Sequence, residues 1–176
     1  MPAIGTGDNV AAFALTEPGA GSDAAALTTA AVPDGDGFRL TGEKAYISNA
    51  PGADVYTLFA RTTAAAGSRG VTAFVVTSDM DGLSGEPIEM ISPHPLGRIR
   101  LDDVFVPASH VVGQVDQGFR VAMETLDLFR PSVGAFALGM AEAALRVATG
   151  HATTRTAFGA PIADFQGVSH QLANVR

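Results

Sequence analysis

Up to Gly113 the chain alternates short β-favouring runs with turn-forming clusters, and beyond it the apolar residues recur at helical spacing. The β-favouring runs are Val10 to Thr16, Ala25 to Val32, Phe38 to Ser48, Val55 to Arg61, Val71 to Thr77, Ile88 to Ile91 and Ile99 to Val106. Between them lie Pro33-Asp34-Gly35-Asp36-Gly37, Asn49-Ala50-Pro51-Gly52 and Asp79-Met80-Asp81-Gly82, whose residues supply positive φ, preset φ or side-chain turns. Strands of this number and spacing predict an antiparallel barrel or sandwich over residues 1–112. In residues 113–176, Leu126, Phe129, Val133, Phe136, Met140, Ala144 and Val147 step by three or four and define one apolar helix face. Leu128, Leu138 and Leu145 lie on the other side, so the helix is expected to have neighbours on more than one face, as in a bundle. Pro131 either opens this helix or kinks a longer one. A loop is expected from about Thr149 to Pro161, with a second helix from Asp164 to Arg176. The fold class expected is therefore mainly β with appended α.

Composition excludes several functions. A formal charge of -7 lacks the basic footprint that nucleic acid or an anionic membrane requires. With no cysteine there is no disulfide, thiolate metal site or cysteine nucleophile. No uninterrupted apolar run approaches the ~20 residues that cross a bilayer, and the N-terminus lacks a basic segment followed by an apolar one. A cytoplasmic protein without membrane or nucleic-acid partners is expected. His94, His110, His151 and His170 have no spacing suited to a shared helical metal face, so no metal site is expected.

Gly19-Ala20-Gly21-Ser22-Asp23-Ala24 fits the glycine pattern of a dinucleotide-binding turn. That reading needs a helix to open there within a βαβ unit. Instead, Ala25 to Val32 carries two threonines and runs into Pro33 and a turn cluster, which argues against it.

Taken in full, Thr16-Glu17-Pro18-Gly19-Ala20-Gly21-Ser22-Asp23, after Phe13-Ala14-Leu15, resembles the TEPxAGSD signature of the acyl-CoA dehydrogenase family. Glycines that permit a tight turn, with hydroxyls and amides facing outward, suit a pyrophosphate held without lysine. An ordinary loop with local Thr16 and Ser22 turns is the plainer reading of this segment alone. Gly42-Glu43-Lys44-Ala45-Tyr46-Ile47-Ser48-Asn49 is similar to the family's G-x-K-x-[WY]-I-[ST]-N strand. The resemblance implies that Tyr46 lies against a flavin ring and that the Ser48 hydroxyl sits near the flavin nitrogen that accepts hydride. Read without it, Tyr46-Ile47 is β-favouring core.

Arg155-Thr156-Ala157-Phe158-Gly159 with Phe165-Gln166 resembles the family's R-x-x-F-G…Q segment, in which arginine and glutamine are eleven residues apart. In relatives these residues reach a neighbouring subunit's flavin; a lone arginine solvating a loop is the plain alternative. Leu126-Asp127-Leu128-Phe129-Arg130-Pro131 resembles the segment that contacts coenzyme A, although Asp127 serves equally as one partner of a helix-terminal ion pair. Some relatives carry their base immediately before this arginine, where this chain has Phe129. Ser92-Pro93-His94-Pro95-Leu96-Gly97 departs from the family's usual G-x-R-x-S stretch, which leaves the acyl specificity open.

The resemblance implies an FAD-dependent oxidoreductase that dehydrogenates an acyl-CoA thioester at the α and β carbons. A carboxylate would take the α-proton and the flavin the β-hydride. Residues expected at the cofactor are Phe13, Leu15, Thr16, Gly21, Ser22, Tyr46, Ile47, Ser48, Arg155, Phe158 and Gln166; at the substrate, Ser22, Asp127 and Arg130. An electron-transfer flavoprotein or another acceptor, and a homodimer or homotetramer, are the expected partners. The relatives extend further at both ends, so Met1 to Gly7 reads as a linker from a preceding helical domain. The base is expected beyond Arg176, and the chain alone is expected to be inactive. An oxidase or flavin monooxygenase on the same scaffold, a non-catalytic β-domain used for assembly, and a nicotinamide enzyme are the alternatives.

Overall fold

The computed structural model describes residues 2–175. It divides into two compact units, residues 1–125 and 126–176, which are considered separately. In the first, a short helix α1 (Pro2–Thr6) stands where a linker is expected, with Met1 outside the described residues. There follow β1 (Ala11–Ala14), β2 (Ala30–Asp34), β3 (Gly37–Ser48), β4 (Val55–Arg61), β5 (Val71–Thr77), β6 (Leu83–Pro87), β7 (Leu96–Pro107) and β8 (Val111–Val112).

They form one eight-stranded sheet in the order β6-β7-β3-β2-β4-β5-β8, with β1 beside β4. The expected strands at 38–48, 55–61, 71–77 and 99–106 are present, while the ladder is mixed instead of purely antiparallel. Both β1 and β2 run parallel to β4, β1 pairing at Ala11↔Val55 to Ala14↔Leu58 and β2 at Ala30↔Arg61. Two separate strands therefore share one edge of β4. The chain leaves that edge after Ala14 and rejoins it at Ala30, and this excursion carries the segment Thr16 to Asp23.

Two expected strands are displaced for identifiable reasons. Ala25 to Val32 pairs only from Ala30, because Ala24–Ala26 form a 3-10 turn and the N–H groups of Thr28 and Thr29 are given to Glu17 instead of to a ladder. The run Ile88 to Ile91 is not a strand; Leu83–Pro87 is. Its Gly85 backbone passes so close to β7 that an added Cβ would lie 2.7 Å from the Arg98 carbonyl oxygen. Glycine, which reads locally as a turn signal, here permits close approach of two strands.

The core lies on one face of this sheet, around Leu40, Ile47, Tyr56, Leu58, Phe74, Val76, Ile99 and Leu101. Phe38 packs on Phe74 with ring centroids 5.3 Å apart, and Phe13 on Phe59 at 5.0 Å. Helix α2 (Gly118–Thr154) begins within this unit. Gly118 and Ala122 are buried, and a Cβ on Gly118 would meet the Ala73 nitrogen at 2.3 Å.

In the second unit α2 continues through Pro131 to Thr154 without interruption, so the expected loop from Thr149 starts later than predicted. Leu128, Phe129, Val133, Phe136, Leu138, Met140 and Val147 are all exposed there. An 18-residue window of α2 has a mean hydropathy of 1.2, long and apolar enough by those measures to cross a membrane. Its alanines raise the average without forming an unbroken apolar run. After α2 come β9 (Thr156–Ala157), β10 (Ala160–Pro161) and α3 (Gln166–Asn174).

Gly97 holds the start of β7 to the end of β3, since an added Cβ would meet three backbone atoms, the Ala50 oxygen and carbon at 2.4 and 2.6 Å and the Glu86 oxygen at 2.8 Å. Backbone cannot move aside as a side-chain tip can. Gly97→Val is expected to destabilise the protein by roughly 2 kcal/mol or more, measured by urea unfolding, as overpacking of a filled site does.

Candidate functional site

Between β1 and the second half of β3 the sheet is split. β2 covers β3 only from Gly37 to Thr41, and the remainder of β3 pairs with β7 on its other edge alone. The pairing with β7 also slips: Lys44 faces Ile99 and Ile47 faces Gly97, so Ala45 and Tyr46 together oppose Arg98. This bulge buries Lys44 and Ala45 in succession and returns Tyr46, Ile47 and Ser48 to alternation, with Tyr46 and Ser48 outward. Tyr46 adopts φ 58°, a left-handed conformation uncommon for an aromatic residue. The residue is 59% exposed.

The bulge frees backbone groups that dock the excursion. The Ala45 N–H donates to the Thr16 carbonyl at 3.0 Å, and Asn49 Nδ2 donates to the Ala11 carbonyl at 3.0 Å. Lys44 Nζ, with no exposed surface, donates to the Leu15 carbonyl at 3.1 Å and to Glu17 Oε1 at 2.9 Å. Glu17 is itself buried and fully engaged. Oε2 accepts from the Thr28 N–H and hydroxyl at 2.7 and 2.8 Å, and Oε1 accepts from those of Thr29 at 2.9 and 2.5 Å.

Burial alone would raise the Glu17 carboxyl, but the Lys44 ammonium, the Thr29 hydroxyl and the Thr28 amide overcome it and hold the group at about 2. Lys44 shows the opposite balance. Burial lowers it to about 8, and the favourable field of Glu17 recovers only part of that cost. The carboxylate has more partners than the ammonium, so its depression governs the acid side, while Lys44 remains charged at neutral pH.

The glycines of the excursion are open. Neither Gly19 nor Gly21 has positive φ, and an added Cβ at either would meet no protein atom within 4 Å. Nothing in the chain's own packing or backbone requires them to be small. Ser22 beside them is exposed. The Ala45-to-Thr16 bond sets Thr16 beside Tyr46, and the exposed Tyr46, the exposed Ser22 and Ser48 hydroxyls and the uncovered backbone at Gly19 and Gly21 make up the candidate cradle. Phe13, Leu15 and Ile47 lie behind it: Leu15 and Ile47 are buried and Phe13 packs on Phe59, so Leu15 and Ile47 can offer a ligand only backbone. The expected dinucleotide decoy has no helix beyond the three-residue turn at Ala24–Ala26.

The second unit holds the remaining expected residues. Phe158 and Gly159, at φ 53° and 84°, form the two-residue turn between β9 and β10. Phe158 is 98% exposed, its ring edge-on to Phe165 at 6.1 Å. Arg155 is exposed and forms no ion pair among the described residues, and Gln166 opens α3, also exposed. Arg130 Nη1 instead pairs with Asp127 Oδ1 at 2.5 Å one turn away, both side chains exposed.

Sequence reasoning quoted Glu17 and Lys44 without assigning either a role. A lysine leading directly into Ala45-Tyr46-Ile47 and a glutamate beside a proline-glycine pair were the available signals. It also left His94 unassigned, although its ring approaches Ser48.

Residues 12–104 match the family described as acyl-CoA dehydrogenase, middle domain, and residues 116–176 match the acyl-CoA dehydrogenase, C-terminal domain. The chain is 42% identical over 172 residues to the 3-(aryl)acrylate reductase of Clostridium sporogenes, covering 96% of this chain and 46% of the relative. Butyryl-CoA dehydrogenase from Megasphaera elsdenii superposes with a TM-score of 0.90 at 37% identity, covering 98% of this chain and 46% of that one. The prolyl acyl carrier protein oxidase AnaB gives 0.92 at 31% identity, covering 99% and 47%. The chain therefore spans less than half the length of these relatives.

Lys44→Met strands a buried carboxylate and is expected to cost ~3–5 kcal/mol in urea unfolding at pH 7, with partial recovery in the Glu17→Gln/Lys44→Met double variant. Because the Glu17 carboxyl is depressed in the fold, its contribution, roughly 3 kcal/mol, is present above the ordinary carboxylate range. It is lost as the pH falls from about 4.5 through about 2. The Lys44→Met penalty should shrink over the same interval, and a penalty independent of pH would contradict this account.

Proposed function

This chain belongs to the acyl-CoA dehydrogenase family, and from that premise we propose that it carries the FAD-binding part of an oxidoreductase acting on the α and β carbons of acyl-CoA thioesters. The observation that carries the reading is the cradle itself. Tyr46 is raised outward at a bulge beside the Ser48 hydroxyl, and Gly19 and Gly21 lie under open space that no protein atom claims. These residues fit the cofactor: a flat aromatic ring has a face for a flavin, and exposed amides and the Ser22 hydroxyl can accept a diphosphate without a local cation. Bound FAD supplies a ring system that takes up hydride.

The chain's own residues bind and orient. Tyr46 presents one wall, Ser48 one polar contact, and the Thr16 to Ser22 backbone the phosphate end. In the second unit Arg155, which has no anionic partner among the described residues, and the exposed Phe158 and Gln166 suit the remainder of the cofactor, on a second copy of the chain. Asp127 and Arg130 are placed at the coenzyme A moiety, where exchange of their mutual ion pair for substrate contacts is possible because both are exposed.

Glu17 cannot serve as the proton-abstracting base. Both its oxygens are occupied and its basicity is low. With Phe129 at the position some relatives use, the base is assigned outside these residues. Electrons are assigned to an electron-transfer flavoprotein, and the protein to the cytoplasm. The likeness to a carrier-protein oxidase favours a second reading, in which oxygen is the acceptor.

Titration of the purified chain with FAD should quench flavin fluorescence. Gly21→Val should leave unfolding stability within about 0.5 kcal/mol, as at exposed sites, while weakening FAD about tenfold or more. Equal FAD binding by both proteins would sink the cradle assignment. Addition of an acyl-CoA to the FAD-loaded chain should not bleach the flavin. Photoreduced flavin should reoxidise slowly in air if the dehydrogenase reading holds, and rapidly under the oxidase reading.

A further inference from the structure

His94 approaches the cradle from a part of the chain 46 residues away, its Nε2 lying 2.9 Å from the Ser48 Oγ. Three features place it there. Pro93 and Pro95 restrict the backbone on either side of the histidine, Pro95 also pressing His94 toward extended conformations. The Pro95 carbonyl accepts the Asn49 N–H at 2.9 Å, directly beside Ser48. Leu96 and Gly97 then pair with Ser48 and Ile47, and the absence of a side chain at Gly97 lets the two strands close. Among the described residues the Ser48 hydroxyl is the only side-chain partner of the His94 ring, and the His94 ring the only side-chain partner of that hydroxyl.

A serine hydroxyl without a fixed partner rotates, and offers a ligand donor and acceptor in turn. One anchored to an imidazole nitrogen does not. If Nε2 carries the proton it donates to Oγ, and the Ser48 hydrogen is left to point at the ligand. If Nε2 is bare it accepts the Ser48 hydrogen, and only oxygen lone pairs face outward. A heteroaromatic ring nitrogen without hydrogen needs the first arrangement.

We propose that His94 is a positioning residue for Ser48, donating from Nε2 so that the serine hydroxyl meets a bare ring nitrogen of the bound cofactor as a hydrogen-bond donor. This rests on the assignment of FAD to the cradle. It also gives a role to the Ser92 to Gly97 segment, which departs from the family's usual pattern.

The test combines nitrogen-detected NMR of the imidazole with FAD titration of the same chain. Long-range proton–nitrogen spectra should show the His94 ring signals shifting in Ser48→Ala, and the Nε2-protonated form predominating when FAD is added. His94→Ala should weaken FAD about fivefold to tenfold, the size of one hydrogen bond. His94→Gln, which retains an N–H donor of similar reach, should recover most of that loss. Adding His94→Ala to Ser48→Ala should weaken FAD no further than Ser48→Ala alone. Independent, additive losses from the two substitutions, or a His94→Ala chain indistinguishable from wild type, would overturn the proposal, as would ring signals indifferent to Ser48→Ala. Absence of FAD binding by wild type, with the His94 signals still responding to Ser48→Ala, would overturn the cofactor assignment and the ligand part of this proposal together, while confirming the pair.

Discussion

The carboxylate of Glu17 and the ammonium of Lys44 meet at 2.9 Å with almost no solvent around either, at the place where the sheet is split. An unpaired charge there would be intolerable, and an apolar pair could not do the same work. The gap between β1 and the second half of β3 exposes backbone groups that no strand covers, and Lys44 satisfies one of them, the Leu15 carbonyl. Glu17 satisfies two more, the amides of Thr28 and Thr29, as the chain turns back toward β2. The ion pair thus replaces a missing stretch of ladder. Its removal from one side leaves several buried groups without partners at once, which is why such a pair is far more costly to break than to replace whole.

From this clasp the rest of the cradle follows. Because Lys44 must point into the split, β3 cannot keep a simple alternation against β7, and the bulge at Ala45 and Tyr46 resolves the conflict. The Ala45 amide then reaches Thr16, and Tyr46 is thrown outward in a left-handed conformation. The aromatic wall and the glycine-rich turn are consequently held by the same few residues. A change to the buried pair should be felt at the exposed ring, although neither charge touches a ligand.

Much of this was legible beforehand. The runs Val55 to Arg61 and Val71 to Thr77 are rich in β-favouring side chains and coincide with β4 and β5, most of whose residues are buried or half-buried. Thr16, Ser22, Tyr46 and Ser48 were identifiable by their order and spacing, and the Ala45-to-Thr16 bond joins the two segments that carry them. The failures were of another kind. Leu83 to Pro87 is not among the expected strands, which place one at Ile88 to Ile91 instead, yet it pairs with β7, whose backbone occupies the space of a side chain at Gly85. Ala25 to Thr29 reads as strand, yet gives its amides to a carboxylate eleven and twelve residues earlier.

The sequence by itself determined residue chemistry and local period: which segments extend, which coil, where a turn is permitted, and which side chains could hold a flavin. These depend on φ and ψ preferences and on spacing along one strand or helix. Only the tertiary structure decided that Glu17 would be spent on Lys44 and two threonines, and so be useless as a base, and that His94 would come to Ser48. Those pairings span 27 and 46 residues and depend on a one-residue slip between β3 and β7. A slip of that kind is set by which buried groups must find partners across the sheet, and no local pattern in the chain records it.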